Sequence, residues 1–233
     1  MIENAQEGPS IALACLDMAG TTVSDDGAVE ESFLAALATV GVNAGDPRLP
    51  RMLDYVRETM GSSKIAVFEA LFPDDDRLPT AANKAFETAY DAIVSRGGVK
   101  EMPGAREAIA KLRSNGIRVA LLTGFSIPTR DKLIDSLNWQ AVADLLVCPQ
   151  EAGRGRPHPD MVLHAILKLG IDDVSSVAVV GDTAADIKTG LRAGASVVVG
   201  VLSGADDAKR LRDAGATALL DGIRELPDFL SCT

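Results

Sequence analysis

Five short apolar runs are spaced along the chain, and each consists mainly of aliphatic residues. Such runs, when bounded by turn residues and separated by helical patterns, are typical of buried parallel strands. The alternation predicts an α/β fold with a doubly wound parallel sheet. The predicted strands are residues 11–17, 117–123, 144–147, 177–182 and 196–201.

The stretch between residues 23 and 100 interrupts this alternation, because its apolar residues recur at helical spacing. Polar, glycine-bearing segments at residues 24–27 and 97–100 flank it and predict flexible connections. We therefore expect an α/β core of residues 10–23 and 101–233 and an inserted helical cap of residues 24–100. The apolar positions are Val29, Phe33, Leu37 and Val40, then Ile65, Phe68 and Leu71, then Phe86, Tyr90 and Ile93.

Composition and charge narrow the possible partners. The 233 residues are 47% apolar, which is enough for a sizeable core, and the net charge of −10 argues against a nucleic-acid partner. No apolar run reaches the length of a membrane span, and residues 1–10 lack the pattern of a signal peptide. These features predict a soluble, cytoplasmic protein.

The first predicted strand ends in a carboxylate, Asp17, and the chain continues Met-Ala-Gly-Thr. Gly20 allows a sharp turn there, and Thr21 follows it. Open α/β sheets bind their ligands at the carboxyl ends of the strands, so Asp17 is a candidate active-site residue. Taken alone, the pentapeptide is equally well explained as an ordinary strand end.

Two further segments carry candidate phosphoryl-binding groups. The run at residues 117–123 ends in Thr123 and Gly124, where a hydroxyl is suited to donate to a phosphoryl oxygen. Arg156 lies in the loop segment 155–159, and its guanidinium forms a planar fork that stays charged at any accessible pH. In isolation, Arg156 is also explained as a surface arginine.

The run at residues 177–182 leads directly into two carboxylates, Asp182 and Asp186, at the start of a predicted helix. Carboxylate oxygens are the ligands that Mg²⁺ prefers, and the ion usually keeps some of its waters. The pair therefore predicts a Mg²⁺ site. The alternative is that Asp182 merely caps the helix, since Asp is a favoured N-cap residue.

Taken together and in this order, the four segments resemble the motifs of the haloacid dehalogenase superfamily. The resemblance implies a Rossmann-like core with a C1-type cap inserted between the first two motifs. It also implies that Asp17 is phosphorylated during turnover and that Gly20, Thr21, Thr123, Gly124 and Arg156 hold the phosphoryl group. Mg²⁺ would be ligated by Asp17, the carbonyl of Ala19 and Asp182, with support from Asp186.

One position separates this chain from the superfamily's ordinary phosphatases, which carry a second Asp where it has Ala19. The form Asp-x-Ala-Gly-Thr-Thr, together with Arg156 in place of the usual lysine, resembles the phosphonatases. The segment 60–65 resembles their cap segment, in which a lysine condenses with the substrate aldehyde. The resemblance implies that Lys64 forms this Schiff base and that Met60 lies against the substrate.

The chemistry of Ala19 and Lys64 is mutually consistent. A carbon–phosphorus bond breaks heterolytically only if the departing carbon can hold an electron pair, and a protonated imine accepts that pair. The leaving group then needs no proton on oxygen, so Ala19 need not be an acid. Imine formation requires a neutral amine, so burial or the helix N-terminus is expected to lower the pKa of Lys64. The alternative is an exposed lysine on a cap helix.

Several alternatives remain open at the level of sequence. Val67 stands where phosphonatases have a histidine, so the resemblance leaves two substrates open, phosphonoacetaldehyde and a related 2-oxoalkylphosphonate. A phosphatase acting on a small phosphate ester and a non-catalytic sensor of a phosphorylated metabolite are the competing functions. Met52, Val56 and Val67 are explained either by a homodimer through the cap or by packing within it.

Overall fold

Six parallel strands form the main sheet of the computed structural model, which describes residues 11–24 and 26–232. Residues 1–10, with the signal-peptide prediction, and Asp25 of the first connection lie outside the described residues. Two further strands, β2 (Val23–Ser24) and β3 (Lys100–Glu101), form a separate two-stranded sheet. The six strands of the main sheet are β1 (Leu13–Asp17), β4 (Arg118–Leu122), β5 (Leu145–Val147), β6 (Val177–Gly181), β7 (Val197–Val201) and β8 (Ala218–Leu220).

The strand order in the main sheet is β5-β4-β1-β6-β7-β8. The order reverses at β1, which pairs with β4 on one side and β6 on the other. Such a reversal opens a crevice at the carboxyl ends of the strands, where open α/β sheets bind their ligands. The predicted doubly wound parallel sheet is confirmed.

Helices cover both faces of this sheet and fill the long interval between β2 and β3. Pro occupies the first or second position of α2, α4, α6, α7 and α11, where its missing N–H has no intrahelical partner to lose. The helices are α1 (Ala28–Thr39), α2 (Leu49–Glu58), α3 (Lys64–Leu71), α4 (Leu78–Ser95), α5 (Ala105–Ser114), α6 (Ile127–Ser136), α7 (Pro149–Ala152), α8 (Asp160–Leu169), α9 (Ala184–Ala193), α10 (Ala208–Asp213) and α11 (Leu226–Ser231).

Aromatic rings join the inserted helices α1 to α4 to the main sheet. Phe33 of α1 lies 4.8 Å from Phe86 of α4, between ring centroids. Phe125, in the loop after β4, lies 4.5 Å from Tyr90 of α4. These rings are buried in one continuous apolar cluster with the residues of the sheet, so burial of aromatic surface holds the helices in place.

Three short strands, β2, β3 and β8, were not among the predicted runs. Strand β8 has only three residues, too few to show a periodic pattern. Strands β2 and β3 pair as a short antiparallel ribbon that ties the two connections to each other, and this pairing arises only when distant segments meet. Among the described residues, no helix is both long enough and apolar enough to cross a bilayer.

Met52, Val56 and Val67 are buried within the chain itself, each at most 7% exposed. All three belong to the same apolar cluster as the aromatic rings. Packing within the chain therefore accounts for these side chains.

Candidate active site

Three carboxylates meet at the carboxyl ends of two neighbouring strands. Asp17 ends β1, Asp182 directly follows β6, and Asp186 lies in the first turn of α9. One oxygen from each lies within 4.8 Å of the others, and all three residues are buried. The sheet topology brings together side chains that are up to 169 positions apart in the sequence.

Gly20 makes room for this cluster. Its φ is +91°, and a Cβ on it would lie 2.3 Å from Asp182 Oδ2. A side chain at this position would therefore be strained by the backbone and would also displace the carboxylate.

Arg156 lies across the cluster and is 4% exposed. Its Nη1 donates to Asp17 Oδ1 and to Asp186 Oδ1. Its Nε is buried and has no hydrogen-bond acceptor among the described residues. A buried donor without an acceptor is costly, so the site is prepared for an additional anionic oxygen. The alternative that Arg156 is a surface arginine is wrong.

The charges in the cluster do not balance, because three buried carboxylates face one guanidinium. Burial raises the pKa of Asp17 to about 6, while the Arg156 charge lowers it and the Asp186 charge raises it. Burial, with the charges of Asp17 and Asp186, also raises the pKa of Asp182 well above its usual range. A hard divalent cation bound by these oxygens would relieve the excess negative charge, so the donor set fits Mg²⁺.

Hydrogen bonds from the surrounding loops orient Asp182. The hydroxyl of Thr21 donates to its Oδ1 at 3.1 Å, and the backbone N–H of Ala205 donates to its Oδ2 at 2.8 Å. Thr21 is fully buried beneath this carboxylate. Two cavities adjoin the site, and Thr21 lines neither of them. Its geometry is that of a residue that positions Asp182.

Thr183, rather than Asp182, caps α9. Its Oγ1 accepts from the backbone N–H of Asp186, while Asp186 Oδ2 accepts from the Thr183 N–H at 3.1 Å and its hydroxyl at 2.5 Å. This reciprocal capping box holds Asp186 in place. The alternative role for Asp182 as the helix cap is therefore wrong.

Thr123 and Gly124 lie where the inserted segment packs against the main sheet. Thr123 directly follows β4 and is buried, and with Gly124 it lines the same cavity as Asp182. A Cβ on Gly124 would lie 2.6 Å from the carbonyl oxygen of Ser62. The loop between α2 and α3 thus packs directly on this glycine, and only the absence of a side chain permits the approach.

Lys64 begins α3 and is only 8% exposed, so the alternative of an exposed cap-helix lysine is wrong. Its Nζ lies 5.4 Å from the ring centroid of Phe125, 5.7 Å from that of Phe33 and 6.0 Å from that of Phe86. These three rings were not among the residues predicted for the site. Phe125 follows Thr123-Gly124 directly, which was a usable signal, whereas only tertiary packing brings Phe33 and Phe86 to Lys64.

Two cavities adjoin at this point. The smaller, of about 330 Å³, is lined by Asp182, Thr123 and the residues 19–20, and also by Met60 from the inserted segment. The larger, of about 640 Å³, extends between α3, α4 and the loop that carries Arg156. The two share four lining residues, which are Lys64, Gly124, Phe125 and Arg156.

A polar bridge joins the end of α2 to the acidic cluster. Arg210 donates from Nη2 to the carbonyl oxygen of Glu58 at 2.7 Å, and its Nε lies 3.2 Å from Asp206 Oδ1. Asp206 Oδ2 in turn accepts from the N–H of Ala184 at 2.7 Å, and its own N–H donates to the Asp182 carbonyl at 3.1 Å. The position of the loop before Lys64 is thereby tied to the acidic cluster, a connection that the sequence did not reveal.

The chain is similar in sequence to known hydrolases. The family model of haloacid dehalogenase-like hydrolases matches residues 11–194. A phosphonoacetaldehyde hydrolase from Pseudomonas fluorescens is 30% identical over 212 residues, which cover 86% of this chain and 76% of that protein.

Solved structures with the same fold include a phosphonoacetaldehyde hydrolase-like protein from Oleispira antarctica. It has a TM-score of 0.82 and 23% identity, and the match covers 100% of this chain and 96% of that one. A protein assigned as a phosphoglycolate phosphatase from Haemophilus somnus has a TM-score of 0.78 and 16% identity, covering 94% and 98% of the two chains. At these identities the structural likeness establishes the fold alone.

Proposed function

This chain belongs to the haloacid dehalogenase-like hydrolase family and is phosphonatase-like within it, and from that premise we propose that it hydrolyses a carbon–phosphorus bond. The proposed substrate is a small 2-oxoalkylphosphonate such as phosphonoacetaldehyde. The observation that carries the proposal is that buried Lys64 lines the same cavity as Ala19, Thr123, Arg156 and Asp182. An amine for imine formation thus faces a phosphoryl-binding cradle that lacks the usual acid.

The first half of the proposed reaction makes the carbon a leaving group. Lys64 Nζ adds to the substrate carbonyl and expels one water, which leaves a protonated imine. Asp17 attacks phosphorus, the carbon–phosphorus bond breaks, and its electron pair moves to the imine nitrogen to give an enamine. Because no oxygen leaves, no acid is required at position 19.

The second half restores the enzyme. One water hydrolyses phospho-Asp17 and releases phosphate, the enamine takes a proton on carbon, and a second water releases the aldehyde or ketone from Lys64. One water is consumed overall. Arg156 orients the phosphonate, because its Nε–H can donate to an anionic oxygen, and Thr123 adds a hydroxyl donor. Mg²⁺, when bound by Asp17, Asp182 and the Ala19 carbonyl with support from Asp186, supplies charge neutralisation at the phosphoryl group.

Three further parts of the proposal concern the whole molecule. The helices α1 to α4 act as a cap domain of residues 24–100 that excludes water while phospho-Asp17 forms. The protein works in the cytoplasm. A homodimer through the cap would use surfaces other than Met52, Val56 and Val67, because those side chains are buried within the chain.

The test compares phosphate release from phosphonoacetaldehyde and from a generic phosphate ester in the presence of Mg²⁺. The expected result is Mg²⁺-dependent release from the phosphonate that is lost in Lys64→Arg and kept in Lys84→Arg, an exposed lysine on α4. Borohydride is expected to reduce the imine, adding the substrate carbon skeleton to the peptide that contains Lys64. Mass spectrometry detects that adduct.

The competing function is a phosphatase, because the carboxylates, Thr123 and Arg156 form a phosphoryl cradle that does not itself involve Lys64. Ester hydrolysis in Lys64→Arg, without release from any phosphonate, would establish it. A sensor would bind a phosphorylated ligand without turnover of either substrate.

A further inference from the structure

The proposed reaction with phosphonoacetaldehyde assigns no part of the substrate to the larger cavity. Cavities that bind small molecules commonly measure about 300–1,000 Å³. The smaller cavity, at about 330 Å³, therefore already accommodates a phosphonate and its aldehyde carbon. The additional 640 Å³ or so is space beyond what that substrate requires.

Lys64 stands at the junction of the two cavities, together with Gly124, Phe125 and Arg156. The acidic cluster, where phosphorus must lie for attack by Asp17, belongs to the smaller cavity through Asp182. A substrate imine on Lys64 thus has its phosphonate on one side of the junction and the larger cavity on the other.

The planar geometry of an imine carbon extends this argument. One of its three substituents is the nitrogen of Lys64, and another is the phosphonomethyl group in the smaller cavity. The third lies in the same plane and points away from both, so it can enter the larger cavity, which Lys64 also lines. In an aldehyde this substituent is hydrogen, whereas in a ketone it is a carbon chain.

The lining of the larger cavity indicates what kind of chain it takes. Phe86 and Phe125, whose rings flank Lys64, form an apolar wall with buried Val67. A wall of this kind favours aliphatic carbon over hydrogen or water.

Three polar side chains of the same lining are engaged within the chain. Asn83 Nδ2 donates to Glu87 Oε1 at 3.1 Å, and Gln150 Oε1 accepts from the N–H of Ile127 at 2.8 Å. Arg154 is paired with Asp160 through Nε and Nη2 at 2.9 and 2.8 Å. Because Asn83, Gln150 and Arg154 are engaged in this way, the preference for an uncharged chain rests on the apolar wall.

We propose that the larger cavity is a subsite for the chain beyond the carbonyl, so that the preferred substrates are ketones, namely 2-oxoalkylphosphonates with an uncharged aliphatic chain. This inference rests on the proposed function, because it requires the imine at Lys64. It makes Asn83 of α4 a specificity-determining position through its place in the lining.

The test measures kcat/KM for 2-oxopropyl-, 2-oxobutyl- and 2-oxopentylphosphonate, which share similar carbonyl reactivity. Each methylene that enters the cavity is expected to raise kcat/KM about fourfold. Asn83→Trp fills the cavity and is expected to remove this increase along the series. Lys84→Trp, at the next position on α4 but exposed and outside the lining, is the matched control and should keep it.

The outcomes separate this inference from the proposed function. Lys64-dependent cleavage of 2-oxopropylphosphonate with kcat/KM flat or falling along the series would overturn the subsite and leave the proposed function standing. No phosphate release from any phosphonate would overturn both. A rise along the series that Asn83→Trp abolishes and Lys84→Trp preserves supports the subsite.

Discussion

Replacing Gly20 by Ala tests whether the turn after β1 exists to admit the Asp182 carboxylate. The added Cβ would lie 2.3 Å from Asp182 Oδ2 and 2.6 Å from its Cγ. Gly41, in the turn after α1, is a matched control, since its φ of +89° is close to the +91° of Gly20 and nothing lies within 4 Å of its Cβ position. The two substitutions share the backbone strain and differ only in the clash.

The magnitudes follow from those two contributions. A non-glycine residue in the left-handed region costs about 1–2 kcal/mol, and this cost applies to both variants. Overpacking against a buried group costs about 1–3 kcal/mol more, and this applies to Gly20→Ala alone. Gly20→Ala is therefore expected to lose about 2–5 kcal/mol of unfolding free energy, against about 1–2 kcal/mol for Gly41→Ala.

The assay is urea unfolding with and without Mg²⁺. A ligand that binds only the folded state at a hundredfold excess over its Kd adds about 2.7 kcal/mol. Wild type and Gly41→Ala should gain this increment, whereas Gly20→Ala should gain much less because Asp182 is displaced. Equal stability losses and equal Mg²⁺ increments in the two variants would refute the reasoning.

Three further predictions concern charge. In the metal-free protein, the pKa of Asp17 is raised from 3.8 to about 6. Between these two pH values the folded state holds a proton that the unfolded state has lost. The free energy of unfolding should therefore fall as the pH rises from about 4 to about 6. Urea titrations should show a shallower fall in Asp17→Asn. Arg156→Lys should lower kcat/KM about a hundredfold, because a lysine cannot form the planar fork. Arg212→Lys, at an exposed position of α10 outside both cavity linings, should change kcat/KM little. Equal losses of kcat/KM in the two variants, measured by steady-state kinetics, would contradict the role of Arg156. Arg210→Ala removes the donor to the Glu58 carbonyl and should raise KM for the phosphonate more than KM for a phosphate ester. Arg210→Lys should raise KM for the phosphonate less than Arg210→Ala does. Equal changes of KM for both substrates would contradict a role of Arg210 in positioning Lys64.

The local pattern of the sequence determined the parallel sheet. Five of the six main strands lie within the predicted runs because a strand buried on both faces must be almost wholly apolar, and that requirement is visible in any short window. Asp17, Thr123 and Asp182 were identified for a related reason, since each is the last residue of a predicted run and strand ends in this fold meet at one edge.

Only the tertiary structure determined the burial of Lys64 and the side chains that surround it. Its burial and its three aromatic neighbours depend on α1, α4 and the loop after β4, which are separated by tens of residues in the chain. The larger cavity and the bridge from Arg210 to Glu58 arise in the same way. Helical periodicity tells which face of a helix is apolar, but it does not tell which distant side chains that face will meet, because packing partners are chosen by the fold as a whole.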